Sequence, residues 1–353
     1  MDGFFLGANT PHGFYSLYDE ELSGCAVKYI LKGSPGCGKS TLMKTVCDAL
    51  SKVGLRCEKI YCASDPNSLD AVICGHICIA DGTAPHVAEP KYAGACEYYV
   101  NLGDCCRPSA AKERERIVRL SDAYREEYSK AYPLLCAAGK VRTLRLETAG
   151  AMARDISRRA AGIALREFGK SKKGAKRGRI QKRFISAICH DGIVNRFDHA
   201  AALCPKVYAI ESEQSLGTAL LTALRELALT AGHDVVCCPS PMAPHGKEEH
   251  LLIPSLALAF ISADKAAPLP LPAHKHIHAD RYMEKSDLSA KKSELKRLKK
   301  SENELILQAT EHLNRAFILH EELEAVYRPH MDFDAVAARA KKITEEILQQ
   351  TQF

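Results

Sequence analysis

The residues Gly33-Ser34-Pro35-Gly36-Cys37-Gly38-Lys39-Ser40-Thr41 follow the frame G-x-x-x-x-G-K-[ST]. This run restricts the fold on both of its sides. Glycines let backbone N–H groups curl around an anion with no Cβ in the way, and a helix leaving the loop supplies further N–H groups at its N-terminus. The flanks meet that requirement. Val27-Lys28-Tyr29-Ile30-Leu31 reads as a short buried strand, and Thr41 to Leu50 reads as a helix. In such a cradle Lys39 offers a point charge to β- and γ-phosphates, while the Ser40 hydroxyl is a ligand for Mg²⁺. Thr41 adds a second hydroxyl.

The second constraint is a repeat. Adding 179 to a residue number between 5 and 50 returns the same residue at ten positions, among them Phe5 and Phe184, Gly13 and Gly192, Tyr29 and Tyr208, and Gly38 and Gly217. Composition alone would give about three. The chain therefore reads as two copies of one unit. The second copy lacks the phosphate chemistry: Gly33 becomes Ser212, Gly36 becomes Ser215, Lys39 becomes Thr218 and Ser40 becomes Ala219, while Glu211 and Glu213 add negative charge that repels phosphate.

Later strands correspond with drift in register. Ile60 to Ala63 matches Val235 to Cys238, and His76 to Ala80 matches Leu256 to Ile261. Strands alternating with helices predict parallel sheets flanked by helices. Each copy ends in helical periodicity: Ile117, Leu120, Tyr124, Tyr128, Ala131 and Leu135 in the first, and Leu288, Leu295, Leu298, Leu305, Phe317 and Leu323 in the second. The charged run from Ala290 to Val326 predicts a helical hairpin, packed on the matching helices of the first copy or offered to a protein partner.

Length, charge and cysteine usage fit this division. The 353 residues suit two domains, 1–168 and 184–353. Between them, over 169–183, lies a Gly/Ser/Lys-rich segment. Lys170, Lys172, Lys173, Lys176, Arg177, Arg179, Lys182 and Arg183 carry more than the whole net charge of +6. It reads as a solvated linker in preference to a nucleic-acid contact, because no aromatic side chains interleave for base stacking. No run is apolar enough to span a bilayer, and the N-terminus shows no export signal. The 15 cysteines are scattered, with no C-x-x-C pair, which favours reduced thiols and a cytoplasmic setting. The pairs Cys105-Cys106 and Cys237-Cys238 read as packing residues.

Other side chains carry candidate chemistry. Asp81 ends an apolar strand, where α/β sheets place ligand-binding groups, and is the second candidate for Mg²⁺. Gly82 follows it, where many ATPases carry a water-activating glutamate, so hydrolysis is expected to be slow. Asp65, in the polar loop Ser64-Asp65-Pro66-Asn67-Ser68-Leu69-Asp70, is a candidate general base or a turn residue. His86 is expected near the γ-phosphate, as a sensor or a structural histidine. His274, His276 and His278 alternate, with no sequence neighbour to complete a metal set, and read as solvated. Arg114, Arg116, Arg119, Arg142, Arg145, Arg154, Arg158 and Arg159 suit either a phosphoryl-clamping lid or exposed helix ion pairs.

Several of these segments together resemble a family of bacterial tandem P-loop proteins described as ATPases or nucleotide kinases. The likeness spans nearly the whole chain. It rests on Gly13-Phe14-Tyr15-Ser16-Leu17-Tyr18-Asp19, Gly33 to Thr41, Ser64 to Asp70, Asp81-Gly82-Thr83-Ala84-Pro85-His86, and Glu249-His250-Leu251-Leu252-Ile253-Pro254. It implies two tandem P-loop NTPase-like α/β domains and binding of ATP or GTP with Mg²⁺. Members of that family often carry intact loops in both halves. This chain departs at Ser212, Thr218 and Ala219, so a single site is expected, in the first half. Slow NTP hydrolysis is the leading expectation, with a small-molecule or nucleotide kinase using Asp65 and a non-catalytic nucleotide-gated scaffold as the alternatives.

Overall fold

The computed structural model describes residues 3–149, 156–169, 176–212, 217–263, 269–279 and 285–351. The front half opens with β1 (Phe4–Phe5), the hairpin β2 (Gly7–Thr10) and β3 (Gly13–Ser16), and α1 (Tyr18–Leu22). Then come β4 (Val27–Lys32), α2 (Lys39–Lys52), β5 (Cys57–Tyr61), β6 (Leu69–Cys74), β7 (Ile77–Asp81) and β8 (Glu97–Asn101). Two long helices follow, α3 (Arg114–Ala149) and α4 (Ile156–Glu167). The rear half repeats the series as β9 (Ile180–Lys182), β10 (Ser186–Cys189), β11 (Gly192–Asn195), α5 (Phe197–Leu203) and β12 (Lys206–Glu211). It continues through α6 (Gly217–Thr230), β13 (Val235–Ser240), β14 (Ala243–Ile253), β15 (Leu258–Ala263), β16 (Lys275–His278), α7 (Lys285–Tyr327) and α8 (Phe333–Thr351).

The protein is mixed α/β. Its two six-stranded sheets have the same order, β1-β5-β6-β7-β4-β8 and β9-β13-β14-β15-β12-β16. They are not purely parallel. β4 is parallel to β7 and β8, but β6 is antiparallel to β5 and β7. The parallel expectation fails because the sequence reading places no strand over Leu69–Cys74 and assigns its first two residues to the polar loop ending at Asp70. Gly75, at φ 61°, and His76 turn β6 directly into β7, and a two-residue connection joins only antiparallel strands. β14 makes the same reversal in the rear sheet.

Phe5 and Phe184, equivalent across the repeat, exchange two backbone hydrogen bonds of 2.9 Å, and the Asn9 amide donates to the carbonyl of its own equivalent, Ile188. The halves therefore meet about a local twofold. Ion pairs cross the same junction. Arg183, buried, binds Glu21 and Glu58 of the front half, and Lys182 reaches Glu20. The segment expected as a linker over 169–183 thus contains a strand and an interface arginine, while Lys170, Lys172 and Lys173 lie outside the described residues.

The helices exchange between halves. α8 lays Val336, Ala340, Ile343 and Ile347 against Leu42, Met43 and Val46 of α2 in the front core. α4 lays Ala160 and Ile163 against Leu220, Leu221 and Leu224 of α6 in the rear core. The equivalent tyrosines mark the exchange: Tyr29 donates to Glu346 at 2.9 Å, and Tyr208 donates to Glu167 at 2.6 Å. Burial, together with the facing carboxylate, pushes the Tyr208 phenol up to about 12. The hairpin expected within the run Ala290 to Val326 does not form, because α7 is one unbroken helix over that run; it packs on the front half instead, running antiparallel to α3 in an α3–α7 hairpin. Leu120 meets Leu323 and Val326 at one end, Ala131, Leu135 and Ala138 meet Ile306, Ala309 and Leu313 in the middle, and Arg142 and Arg145 pair with Glu302 at the other.

Candidate functional site

The loop sits between β4 and α2. Its first strand is apolar where the sheet covers it, with Tyr29, Ile30 and Leu31 buried, and α2 buries Leu42, Met43, Val46, Cys47 and Leu50 at helical spacing. Strand and helix are thereby fixed, and the loop must make the turn. Gly36 and Gly38 do so at φ 70° and 90°, a region that L side chains rarely enter. At Gly33 a Cβ would come within 2.6 Å of the Cys37 sulfur.

Lys39 folds back over this turn. Its ammonium donates to the carbonyls of Gly33 at 3.0 Å and Ser34 at 3.2 Å, and stands 3.7 Å from Asp81 Oδ2. Ser40 Oγ accepts from the backbone N–H of Leu69 at 2.9 Å. Asp81 Oδ1 accepts from the N–H and hydroxyl of Thr83, at 2.8 and 2.7 Å, which fixes the carboxylate and leaves Oδ2 toward Lys39. Ser34 Oγ is buried with no hydrogen-bond partner. Burial raises the Cys37 thiol pKa against the opposing pull of Lys39, so Cys37 is an uncharged wall of the turn.

Asp65 stands apart from Lys39 and Asp81 in hydrogen bonding. Its Oδ1 accepts from the Asn67 N–H at 2.9 Å, the bond of an Asx turn. His86 is tied elsewhere too. Its Nε2 lies 2.9 Å from Asp70 Oδ2, and its ring packs between Phe14 and Tyr18 at 4.8 and 4.7 Å. Burial opposes a charge on His86, but the Asp70 carboxylate outweighs it and raises the pKa. The expected phosphate sensor is a buried partner of Asp70.

The arginine lid also changes place. Arg142 and Arg145 face Glu302, with Glu249 3.6 Å from Arg142, and so belong to the rear end of the hairpin. Arg158 and Arg159 ride on α4 over the rear core, and Arg154 lies outside the described residues. What reaches the front loop instead is the last part of α7. A Cβ on Gly36 would meet the Glu324 backbone at 3.0 Å, and one on Gly38 would meet Val336 and Phe333 of α8 at 3.4 and 3.6 Å. No local motif marks Glu324 or the neighbouring His320. Only their shared helical face, one turn apart, is legible in the sequence.

The rear half provides an internal control. β12 pairs with β15 as β4 pairs with β7, and Leu31 lies opposite Asp81 as Ile210 lies opposite Ser262. Ser262 thus occupies the place of Asp81. Thr218 and Ala219 occupy the places of Lys39 and Ser40, in the first turn of α6, while Glu213 and Ser215 lie outside the described residues. Glu211 is held by His276 and His278, whose Nδ1 atoms stand 2.7 and 2.6 Å from its two oxygens. The alternating histidines are therefore not simply solvated: β16 runs beside β12 and brings them to a carboxylate remote in sequence.

Comparison of the chain with family models, with curated proteins and with solved structures finds no match. Among the described residues no cluster of three or more His, Cys, Asp or Glu side chains is placed to hold a metal ion, and no helix is long and apolar enough to cross a membrane. The front loop offers a sparser oxygen set, the Ser40 hydroxyl and the Asp81 carboxylate. That suits Mg²⁺, which takes one or two protein oxygens and completes its shell with phosphate and water. Of the two adjacent cysteine pairs read as packing residues, Cys105, Cys237 and Cys238 are buried free thiols and Cys106 is partly buried.

Proposed function

We propose that this protein binds a magnesium nucleoside triphosphate, ATP or GTP, at Gly33–Thr41 and hydrolyses it slowly, with the rear half a degenerate partner. In this reading the chain is a tandem P-loop NTPase, of the kind its sequence resembles. One observation carries it. Lys39 and Asp81, 42 positions apart in sequence, meet at 3.7 Å beside Ser40, and all three are replaced together at the equivalent rear positions. A structural role for the trio would give no reason for the joint replacement, because the rear sheet keeps the same order without it.

The chemistry follows from the side chains. Lys39 would leave its two carbonyl partners and Asp81 for β- and γ-phosphate oxygens, so the ammonium is already aimed at the cradle. The loop amides and the N-terminus of α2 add fixed partial positive charge. Ser40 and Asp81 would hold Mg²⁺, which when bound neutralises charge developing between the β- and γ-phosphates. Asp81 is followed by Gly82, which has no side chain to activate water, so turnover is slow.

The packing of α7 and α8 on the loop favours a second reading, in which nucleotide occupancy positions the helical hairpin for a protein partner and turnover is negligible. The kinase reading is weaker, because Asp65 Oδ1 is spent in its own turn. Calorimetry and phosphate release with the full chain separate these. Hydrolysis above a Lys39→Ala blank supports the first reading, binding without release supports the second, and release that rises steeply with a metabolite pool supports a kinase. No heat from either ATP or GTP overturns all three.

A further inference from the structure

We propose that His320, carried by the rear half, reads the terminal phosphate of the nucleotide bound at the front loop. The proposal rests on the nucleotide reading above and adds the group that distinguishes a triphosphate from a diphosphate. Its basis is the way α7 ends. The Glu324 backbone sits against Gly36, close enough that no side chain fits between them, so the helix is seated on the cradle itself. His320 is one turn earlier on the same face. There it lies within electrostatic reach of Asp65 and of Lys39, the side chain that such a loop aims at the β- and γ-phosphates. Tyr124 of α3 holds the imidazole edge-on at 5.7 Å, and Tyr128, one turn along α3, donates to Ser64 in the loop that also bears Asp65.

The ring has the right hydrogen-bonding state to act. His320 Nδ1 is 3.7 Å from Glu324 Oε1, and Nε2 has no hydrogen-bond partner among the described residues. Partial burial lowers the imidazole pKa, Glu324 opposes that, and Lys39 lowers it further, so without ligand the ring is neutral near pH 7. A terminal phosphate beside it reverses the balance: Lys39 is engaged, new negative charge arrives, and an Nε2–H bond to a phosphate oxygen is charge-assisted. A diphosphate lacks that oxygen. The groups facing His320 are Glu321 and Glu324 on its own helix, Lys39 on α2, Asp65 after β5 and Tyr124 on α3.

The test is calorimetry of the full chain with MgATP and MgADP, repeated with GTP and GDP, on wild type, Lys39→Ala, His320→Ala and His320→Gln. His320→Ala is expected to lose about tenfold in triphosphate affinity and to keep its diphosphate affinity, the size of one charge-assisted hydrogen bond. His320→Gln retains a donor but not a titrating one. It should recover part of the loss and abolish the decline of triphosphate preference that wild type shows as pH rises. Equal losses for both nucleotides, or unchanged affinities in both His320 variants while Lys39→Ala binds neither nucleotide, overturn this role and leave nucleotide binding standing. A wild type that binds no nucleotide removes both. Thermal melts of the two His320 variants guard against misfolding, and Gln serves if Ala unfolds.

Discussion

The front and rear loops begin from equivalent strands and end in equivalent helices, yet only one of them is equipped. β4 and β12 have the same bounds in the repeat, Tyr29 and Tyr208 bind equivalent glutamates, and Gly38 and Gly217 both stand at the start of a helix. Against that background the side chains that would meet an anion are all replaced: Lys39, Ser40 and Asp81 become Thr218, Ala219 and Ser262, and two of the loop glycines, Gly33 and Gly36, become Ser212 and Ser215. The rear half also binds its Glu211 with two histidines, where the equivalent front residue, Lys32, pairs with Glu89. The strand before the loop and the helix after it thus persist where the residues that meet an anion are gone.

The largest expected effect tests that contrast directly. Lys39→Ala should weaken triphosphate binding by about a thousandfold, or ~4 kcal/mol, because several charge-assisted contacts vanish together. Thr218→Ala in the rear loop should leave the calorimetric constant unchanged. Equal effects of the two substitutions would end the distinction between the halves.

Next in size is a comparison of the two ends of the α3–α7 hairpin. At the rear end Glu302, with its side chain 5% exposed, neutralises Arg142 and Arg145. Glu302→Gln leaves two guanidinium groups there without their shared carboxylate and should cost about 3 kcal/mol, read by urea unfolding. At the front end the Glu324–Arg328 pair is more exposed, and Arg328→Ala should cost no more than about 0.5 kcal/mol. A loss at the front end as large as that at the rear would show that the hairpin is clamped at both.

The smallest effect sharpens the contrast through pH. In the front half the His86 pKa is raised by Asp70 against burial; its stabilising effect is full below the ordinary value of 6.5 and is lost as pH rises through the raised value. In the rear half burial lowers the His250 pKa; its contribution is present above 6.5 and is lost as pH falls toward the lowered value. Melts from about pH 5 to about pH 9 should show His86→Gln removing an alkaline-side loss and His250→Gln removing an acid-side one. Profiles that move the same way in both variants would refute the assigned charge states.

Much of this contrast was legible in the sequence, and its gaps have physical causes. The loop, its strand and its helix stand where the glycine and apolar spacing put them, and β2, β3 and β4 recur at the repeat distance as β10, β11 and β12. β6 was hidden because Asp70 made its start look like a continued polar loop, and the carboxylate is tolerated there only through His86 and Tyr18. That omission also hid the equivalence of Asp81 and Ser262, since the hairpins before them differ in length and the pairing register alone aligns them. The roles of His320 and Glu324 depend on which sheet α7 leans against, and neither periodicity nor spacing encodes that choice. The exchange of α4 and α8 was invisible for the same reason: an apolar face states that it must be covered, not which copy covers it.

The exchange of terminal helices sets the order in which the molecule can be completed during synthesis. The sheet that bears the cradle is translated well before Val336, Ala340, Ile343 and Ile347, which close its core. Until those codons are read, the α2 surface beneath them stays wet, and a nascent chain halted at the midpoint would hold a finished loop on an unfinished hydrophobic interior. Removal of α8 would therefore act far from itself in sequence, unseating the cradle while the rear core keeps its own cover from α4.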